Sequence, residues 1–274
     1  MFAVYALGAA LCTVCSFAVE APGVALIFAG ATVALLLAHV FWVRHLAEQV
    51  KGLIGRNEEA VGLIAQGQVE EAVRVLEGLI DSARTLPVNH SIFVLNRAIA
   101  RTKMGELDEA FAHLSAVAAG RCLEPALYKA QCATLYSQLA FVSALRGDVT
   151  AGGRWLAGAQ ARIAPRLRPS LIAYEAILEA RKGNFSTAAA KLEGGWSEAE
   201  AVLSAAQMKP IAILRAFFLS TAFPDGSREA EVVGLLASAK GVRPNAYVYV
   251  AHAWPELAAF HQKHGLESPP TLTA

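Results

Sequence analysis

The sequence predicts an all-α protein in which an N-terminal transmembrane hairpin precedes an array of helix–turn–helix repeats. Three observations predict this fold. Two long runs almost free of charge open the chain. Apolar residues then recur with the period of a helix through most of the remaining sequence, with little of the alternation typical of strands. Four later segments share one pattern that begins with glycine, which is typical of a repeat protein.

Composition excludes several classes of protein. The 274 residues are 55% hydrophobic and 17% charged, and the mean hydropathy of +0.41 is too high for an intrinsically disordered chain. Four cysteines at this length do not form a disulfide-stabilised scaffold. With 24 basic and 23 acidic residues, the chain lacks the positive surplus that binding to phosphates requires. We therefore expect no nucleic-acid partner.

The apolar excess is concentrated in residues 1–43, which contain one charged residue, Glu20. As helices, the runs 1–19 and 21–43 would be roughly 28 and 34 Å long at about 1.5 Å per residue, and the hydrocarbon core of a bilayer is about 30 Å thick. Residues 20–23 would form the turn between them. We therefore predict a membrane anchor of two transmembrane helices.

The first run could instead be a cleavable signal peptide. No Lys or Arg precedes its apolar stretch, no clean small-residue cleavage site follows it, and Pro22 stands where cleavage would be needed. These three points favour the hairpin.

Basic residues indicate which side of the membrane the body of the protein occupies. Arg44, Lys51 and Arg56 follow the second run, whereas the turn carries only Glu20. The positive-inside rule then places the body in the cytoplasm, beside a membrane of the bacterial inner (cytoplasmic) type. The alternative is a periplasmic body behind an uncleaved anchor.

Four segments, which begin at Gly67, Gly105, Gly147 and Gly183, align on one pattern. Each has an apolar residue two positions after the glycine, a small residue five after it and a leucine nine after it; another small residue stands seven before it. Glycine tolerates a positive φ and so ends a helix, and small residues let two helices approach closely. The apolar residues are Val69, Leu107, Val149 and Phe185, the later small residues are Ala72, Ala110, Gly152 and Ala188, the leucines are Leu76, Leu114, Leu156 and Leu192, and the earlier small residues are Ala60, Ala98, Ala140 and Ala176.

This pattern resembles the tetratricopeptide repeat (TPR), and the resemblance covers roughly residues 55–195, about half of the chain. It implies a TPR-like α-solenoid. The sequence departs from the family at three points: the glycines are 38, 42 and 36 residues apart, where the usual repeat has 34; the large aromatic residue early in the first helix appears only as Tyr136; and Gly152 stands where alanine is expected. The alternative is an irregular helical bundle whose helices end at glycines.

The predicted organisation has five parts. Residues 1–43 form the anchor, 44–56 a juxtamembrane linker or helix, 57–196 the repeats, 197–264 C-terminal helices and 265–274 a disordered tail. The C-terminal helices are predicted as a degenerate fifth repeat and a cap, because a solenoid must cover its last apolar face. Their predicted ranges are 197–208, 210–222, 228–239 and 247–263.

The sequence contains no recognisable catalytic, metal or cofactor motif. Cys12 and Cys15 form a C-x-x-C pair, but it lies inside an apolar run without a second pair or a nearby histidine, so both are predicted to be small hydrophobic residues. Arg162, Arg166 and Arg168 are predicted to lie in a solvated turn; binding to an anionic lipid or an acidic partner is the alternative. We predict neither a cofactor nor a metal site.

The TPR resemblance implies a concave face, lined by the first helix of each repeat, that binds protein partners. Carried over by register, the groove-facing residues are Asn57, Val61, Ile64, Leu95, Ile99, Thr102, Ser137, Phe141, Ala144, Ala173, Ile177 and Ala180. The Lys and Asn residues with which one TPR subclass holds a C-terminal carboxylate are absent. The groove is therefore predicted to be apolar, and it could receive an amphipathic helix or the chain's own helix 247–263.

The leading hypothesis is a non-enzymatic, membrane-anchored scaffold or adaptor. Its partner-binding residues are predicted to be Val61, Ile64, Leu95, Ile99, Phe141 and Ile177. The alternative is an enzyme or regulatory subunit whose site lies in the C-terminal helices around His252, Trp254, His261 and His264.

Overall fold

A computed structural model of the chain describes residues 10–11, 13–14, 22–239 and 253–266. All regular secondary structure in these residues is helical, so the all-α prediction is confirmed for them. The chain divides into two compact units, residues 1–58 and 59–274.

Twelve α-helices lie in the described ranges: α1 Pro22–Gln66, α2 Val69–Ser82, α3 Pro87–Lys103, α4 Leu107–Gly120, α5 Lys129–Leu145, α6 Val149–Arg162, α7 Ile172–Arg181, α8 Phe185–Gly194, α9 Trp196–Glu200, α10 Ala205–Ala222, α11 Glu229–Ser238 and α12 Pro255–Lys263. Two 3₁₀ helices, Ala126–Tyr128 and Pro165–Leu171, lie before α5 and α7.

The first unit contains most of α1. From Leu26 this is the one described helix that is long and apolar enough to cross a membrane, with a mean hydropathy of 2.2 over 18 residues and no buried residue in that window. Phe41, for example, is 74% exposed. The helix begins at Pro22, inside the predicted turn, because proline is well suited to the first helical position. Most of the predicted helix 1–19 lies outside the described residues, so no hairpin is shown.

The second unit contains the four predicted repeats, and each folds as a helix, a tight turn and a second helix. Gly67, Gly105, Gly147 and Gly183 have φ of 81°, 83°, 86° and 86°. In every turn the N–H of the following residue donates to the carbonyl five residues earlier, at 2.9–3.0 Å. This bond and the left-handed glycine define a Schellman motif, which satisfies the last carbonyls of the first helix. The second helices α2, α4, α6 and α8 all begin at the predicted apolar residue.

The helices pack in the order that a repeat array requires. The second helix of each repeat contacts the first helix of the next, as α4 does with α5 and α6 with α7. First helices also contact one another, α3 with α5 and α5 with α7. The pair α10–α11 continues the order, since α10 packs against α7, α8 and α11. Each repeat of such an array therefore buries its apolar face against the neighbouring repeats.

The small residues of the pattern lie at these helix contacts. Ala72, Ala98, Ala110 and Ala188 are completely buried. Glycine replaces the alanine of the pattern at position 152, and the structure explains why. A Cβ there would lie 2.7 Å from Leu178 Cδ2 and 3.2 Å from the carbonyl oxygen of Ala140. A side chain at position 152 would therefore require Leu178 and the backbone of α5 to move.

Substitution of Gly152 by alanine should destabilise the second unit by up to about 2 kcal/mol, because moving backbone or side chains to admit the methyl group costs about 1–3 kcal/mol and helix propensity returns about 0.5–1 kcal/mol. The matched control is Gly153→Ala, one position further along α6, where a Cβ would meet nothing within 4 Å. That change should stabilise the protein by about 0.5–1 kcal/mol through helix propensity. Urea unfolding measures both, and the same sign for the two variants would refute this account of the packing.

The C-terminal helices differ from their predicted ranges. The prediction breaks a helix near Pro210, but α10 runs through that residue. The helix starts instead at a capping box, in which the Ser204 side chain accepts from the Gln207 N–H and the Gln207 side chain accepts from the Ser204 N–H. This cap fixes the start one turn and a half before the proline, and burial of the following apolar residues holds the helix together. The predicted helix 247–263 is described from Pro255, and most of the predicted tail lies outside the described residues.

Candidate functional site: a groove across four helices

A cavity of about 700 Å³ lies along one face of the second unit. Most of its lining comes from α3, α5, α7 and α10, which are first helices of consecutive pairs, and Arg162 at the end of α6 also borders it. The segment 163–171, between α6 and α7, forms another wall. We call this cavity the groove.

Helical spacing explains why these residues meet. On α5 the lining residues recur three or four positions apart, which places them on one face. They are Ala130, Ala133, Thr134, Ser137, Gln138 and Phe141. The same spacing gives Ala173, Tyr174 and Ile177 on α7 and Gln207, Ile211 and Leu214 on α10. Because first helices contact one another, these faces are adjacent and form one continuous surface.

Six of the residues that the sequence places toward the groove line it: Ile99, Thr102, Ser137, Phe141, Ala173 and Ile177. Leu95 instead is 2% exposed and belongs to the apolar cluster that contains Leu114 and Val117, so it supports the fold. Neither Val61, which is 44% exposed, nor the buried Ile64 borders the cavity. Of the six predicted partner-binding residues, the structure therefore brings three together at the groove: Ile99, Phe141 and Ile177.

Sequence reasoning missed the contributions of α10 and of segment 163–171. The fifth helix pair lacks the glycine pattern, because its turn is the longer segment 223–228 with a positive φ at Gly226. Alignment of the sequence on the repeat pattern assigns positions only within the helices of each repeat. It therefore could not place Leu167 or Leu171, which lie between α6 and α7, at the groove. The capping box at Ser204 is the one sequence signal that fixes the register of α10.

The floor of the groove is aromatic and apolar. Phe141 and Tyr174 are in edge-to-face contact, with ring centroids 5.8 Å apart and an interplanar angle of 74°. The amide nitrogen of Gln138 lies 3.4 Å from the Tyr174 hydroxyl and donates to it. Burial raises the pKa of this tyrosine, so the hydroxyl stays neutral.

The charged residues that line the groove are all cations: Lys103, Lys129 and Arg162. Arg162 is neutralised within the fold, because its guanidinium donates to both carboxylate oxygens of Glu124, at 3.0 and 3.2 Å, and lies 4.1 Å over the Tyr136 ring. Burial opposes ionisation of Glu124, but these hydrogen bonds outweigh it and lower the pKa of the carboxyl. Arg166 and Arg168 are exposed in the 3₁₀ helix Pro165–Leu171.

Lys103 lies in a different environment. Burial lowers the pKa of its ammonium, which disfavours the charged form. Its Nζ is 3.4 Å from the carbonyl oxygen of Ile64, a long hydrogen bond. No ion pair of Lys103 is found in the described part of the chain.

Two of the four residues named in the enzyme hypothesis, Trp254 and His261, are buried. Trp254 is 2% exposed among aromatic rings, and the His264 ring contacts Phe260 with ring centroids 4.5 Å apart and planes tilted by 46°. His252 lies outside the described residues. Within the described ranges, no group of three or more His, Cys, Asp or Glu residues could hold a metal ion. Residues 253–266 contribute nothing to the lining of the groove, and 247–252 are not described.

The buried His261 makes the stability of the fold sensitive to acid. It is 2% exposed, neither ring nitrogen has a hydrogen-bond partner, and burial lowers its pKa. Below the unfolded value of about 6.5 the unfolded chain binds a proton that the folded chain resists, so stability falls by up to about 1.4 kcal/mol per pH unit for this group. Above pH 6.5 it contributes no pH dependence.

Urea unfolding between pH 7.5 and 5.5 tests this expectation. The wild-type protein should lose stability as the pH falls, and His261→Phe should lose less because it removes one of the titrating groups. Burial also lowers the pKa of His113 and His264, so part of the pH dependence should persist in the variant. An identical pH profile for the two proteins would show that His261 is not buried in its neutral form.

Comparisons with known proteins leave the family open. Neither a protein-family model nor a curated protein matches the chain. The similar solved structures include two of a Podosopora anserina putative kinesin light chain with nearly identical TPR-like repeats. One of them, the structure of a point variant, has 20% identity and a TM-score of 0.47, and it covers 70% of this chain and 94% of its own. The other has 20% identity and a TM-score of 0.46, with 72% and 97% covered. The repeat architecture described above stands on the chain's own turns and contacts.

Proposed function

We propose that this protein is a non-enzymatic adaptor, anchored in a membrane by residues 1–43, that binds a protein partner in the groove. One observation carries the proposal: an apolar surface that continues across the first helices of consecutive repeats and encloses about 700 Å³. Sites for small-molecule ligands typically have volumes of about 300–1,000 Å³, so this cavity is large enough to hold side chains of a ligand. A groove of this size can receive several side chains of one peptide segment.

The form of the groove favours a helical or extended segment as the ligand. An amphipathic helix presents apolar side chains every third or fourth residue, and these can enter a groove between helices. The floor offers Phe141, Tyr174 and Ile177 to such anchors, and Thr134, Gln138 and Gln207 offer polar groups near them. These polar groups can form hydrogen bonds with the ligand, and such binding requires no catalytic step.

The membrane anchor rests on the exposed, uncharged stretch of α1 that begins at Leu26. Aromatic residues at the end of the stretch, Phe41 and Trp42, are the residues that prefer the membrane interface. The basic residues that follow, Arg44, Lys51 and Arg56, favour a cytoplasmic body by the positive-inside rule. An adaptor held in this way would bring its partner to the membrane surface.

Site-specific photo-crosslinking in intact cells tests the proposal. A benzophenone amino acid replaces Thr134, which is exposed and lines the groove, or Thr187, which is exposed on α8 and does not line it. We expect a discrete crosslinked protein from position 134 and none from position 187. The same crosslinked bands from both positions, or none from position 134, would refute binding in the groove.

A further inference from the structure

The groove has an unbalanced positive charge. Among the residues that the structure describes, its lining includes no Asp or Glu, although three cations border it. Arg162 is held by Glu124 and is therefore not available to a ligand. Lys103 and Lys129 remain, and no carboxylate pairs with either of them in the described residues. Lys129 is also the first residue of α5, where the helix dipole adds positive potential.

The repeat itself gives no reason for a cation at position 103, two residues before the glycine. The equivalent residue is the buried Leu145 in the third repeat and Arg181 in the fourth. Arg181 is used by the fold, because its Nε donates to the Ala144 carbonyl at 3.1 Å and its guanidinium lies 5.2 Å over the Trp254 ring. Within the described ranges, the long bond to Ile64 is the one hydrogen bond of the Lys103 side chain.

A half-buried ammonium group with one weak hydrogen bond reduces the stability of the fold, since desolvation of the charge is not compensated. Two of its N–H groups remain for a ligand, because an ammonium has three donors. A carboxylate that entered the groove would compensate that charge and gain a charge-assisted hydrogen bond. A cationic group would be repelled, so the groove distinguishes partners by the sign of their charge.

We propose that the partner is a peptide segment that carries Asp or Glu side chains beside its apolar anchors, and that the Lys103 ammonium binds one of these carboxylates in the groove. Lys129 adds a second positive charge at the rim. The proposal rests on the proposed function, because it specifies the chemistry of the ligand for the same groove. The carboxylate is that of a side chain, so the ligand does not need to present a chain terminus.

Selection from a random peptide library displayed on phage tests this inference. The target is the full-length chain in phospholipid nanodiscs, which keep detergent out of the apolar groove. The peptides are displayed with their C-termini fused to the coat protein, so that only side chains supply carboxylates. Binders that also bind Thr134→Trp are discarded, because the indole fills the groove, and Thr187→Trp serves as the matched control.

We expect the remaining clones to be enriched in both apolar and acidic residues. Their affinity should fall at least about tenfold on Lys103→Met and be largely retained on Lys103→Arg. Lys191→Met, which removes a lysine outside the groove lining, should leave it unchanged. Thermal unfolding of Lys103→Met should be no easier than that of the wild type, because the change removes a desolvated charge.

Three results would overturn the inference. Groove-dependent clones without acidic residues, or clones that bind Lys103→Met as tightly as the wild type, would refute the role of Lys103 and leave the groove as a binding site. If every selected clone also binds Thr134→Trp, no peptide binds in the groove. That result would refute the groove as a peptide site, and the proposed function with it.

Discussion

Substitution of Trp254 by alanine should destabilise the second unit by about 3–5 kcal/mol, the range for loss of a large buried aromatic side chain. The indole is 2% exposed. Its ring centroid lies 5.3 Å from that of Phe217 on α10, in an edge-to-face arrangement, and 6.3 Å from that of Phe185 on α8. Because the residue precedes α12, the substitution removes one of the contacts that hold the C-terminal segment on α8 and α10.

Urea unfolding of the full-length chain measures this effect, and Trp196→Ala is the control. Trp196 is only half-buried, and its Nε1 donates to Glu200 on the same short helix α9, at 2.7 Å. Trp196→Ala should lower the free energy of unfolding by about 1–2 kcal/mol, clearly less than Trp254→Ala does. A loss below about 1 kcal/mol for Trp254→Ala would mean that the C-terminal segment is not part of the cooperative fold.

Removal of residues 1–43 should transfer the protein from the membrane fraction to the soluble fraction. The full-length chain should stay in the pellet after a wash in alkaline carbonate, because its long uncharged stretch prefers the hydrocarbon core. The second unit, residues 59–274, keeps its own apolar core, so the shortened chain should remain folded.

A chain that lacks only residues 1–19 is the control, since it retains the apolar part of α1. It should remain in the pellet. Release of the full-length chain by carbonate, or retention of the chain without residues 1–43, would contradict the proposed anchor.

The repeat turns could be predicted because local chemistry determines them. A left-handed residue is required at the end of each first helix, and glycine adopts that conformation without strain. The sequence therefore predicts both the turns and the first residue of each second helix, from Val69 to Phe185. Small and large residues at fixed distances then determine which faces meet, as the buried Ala98 and Leu114 illustrate.

Contacts between distant segments could not be predicted in the same way. Register places Leu95 on the face toward the groove, but packing against α4 buries it in the core. Pro210 predicts a break, yet the cap at Ser204 and burial of the residues after it outweigh the lost hydrogen bond. The role proposed for Lys103 depends on the absence of a carboxylate around it, which only three-dimensional neighbours reveal.

One binding measurement tests the central claim most directly. It compares two tryptophan variants for their affinity for the partner that crosslinks to position 134. Both Thr134→Trp and Thr187→Trp place a large side chain at an exposed helical position, and only the first lies in the groove. Binding of the purified partner to full-length protein in nanodiscs should weaken about 100-fold or more for Thr134→Trp, a change of about 2.7 kcal/mol. It should change less than about twofold for Thr187→Trp. Equal affinities for the two variants would contradict binding in the groove.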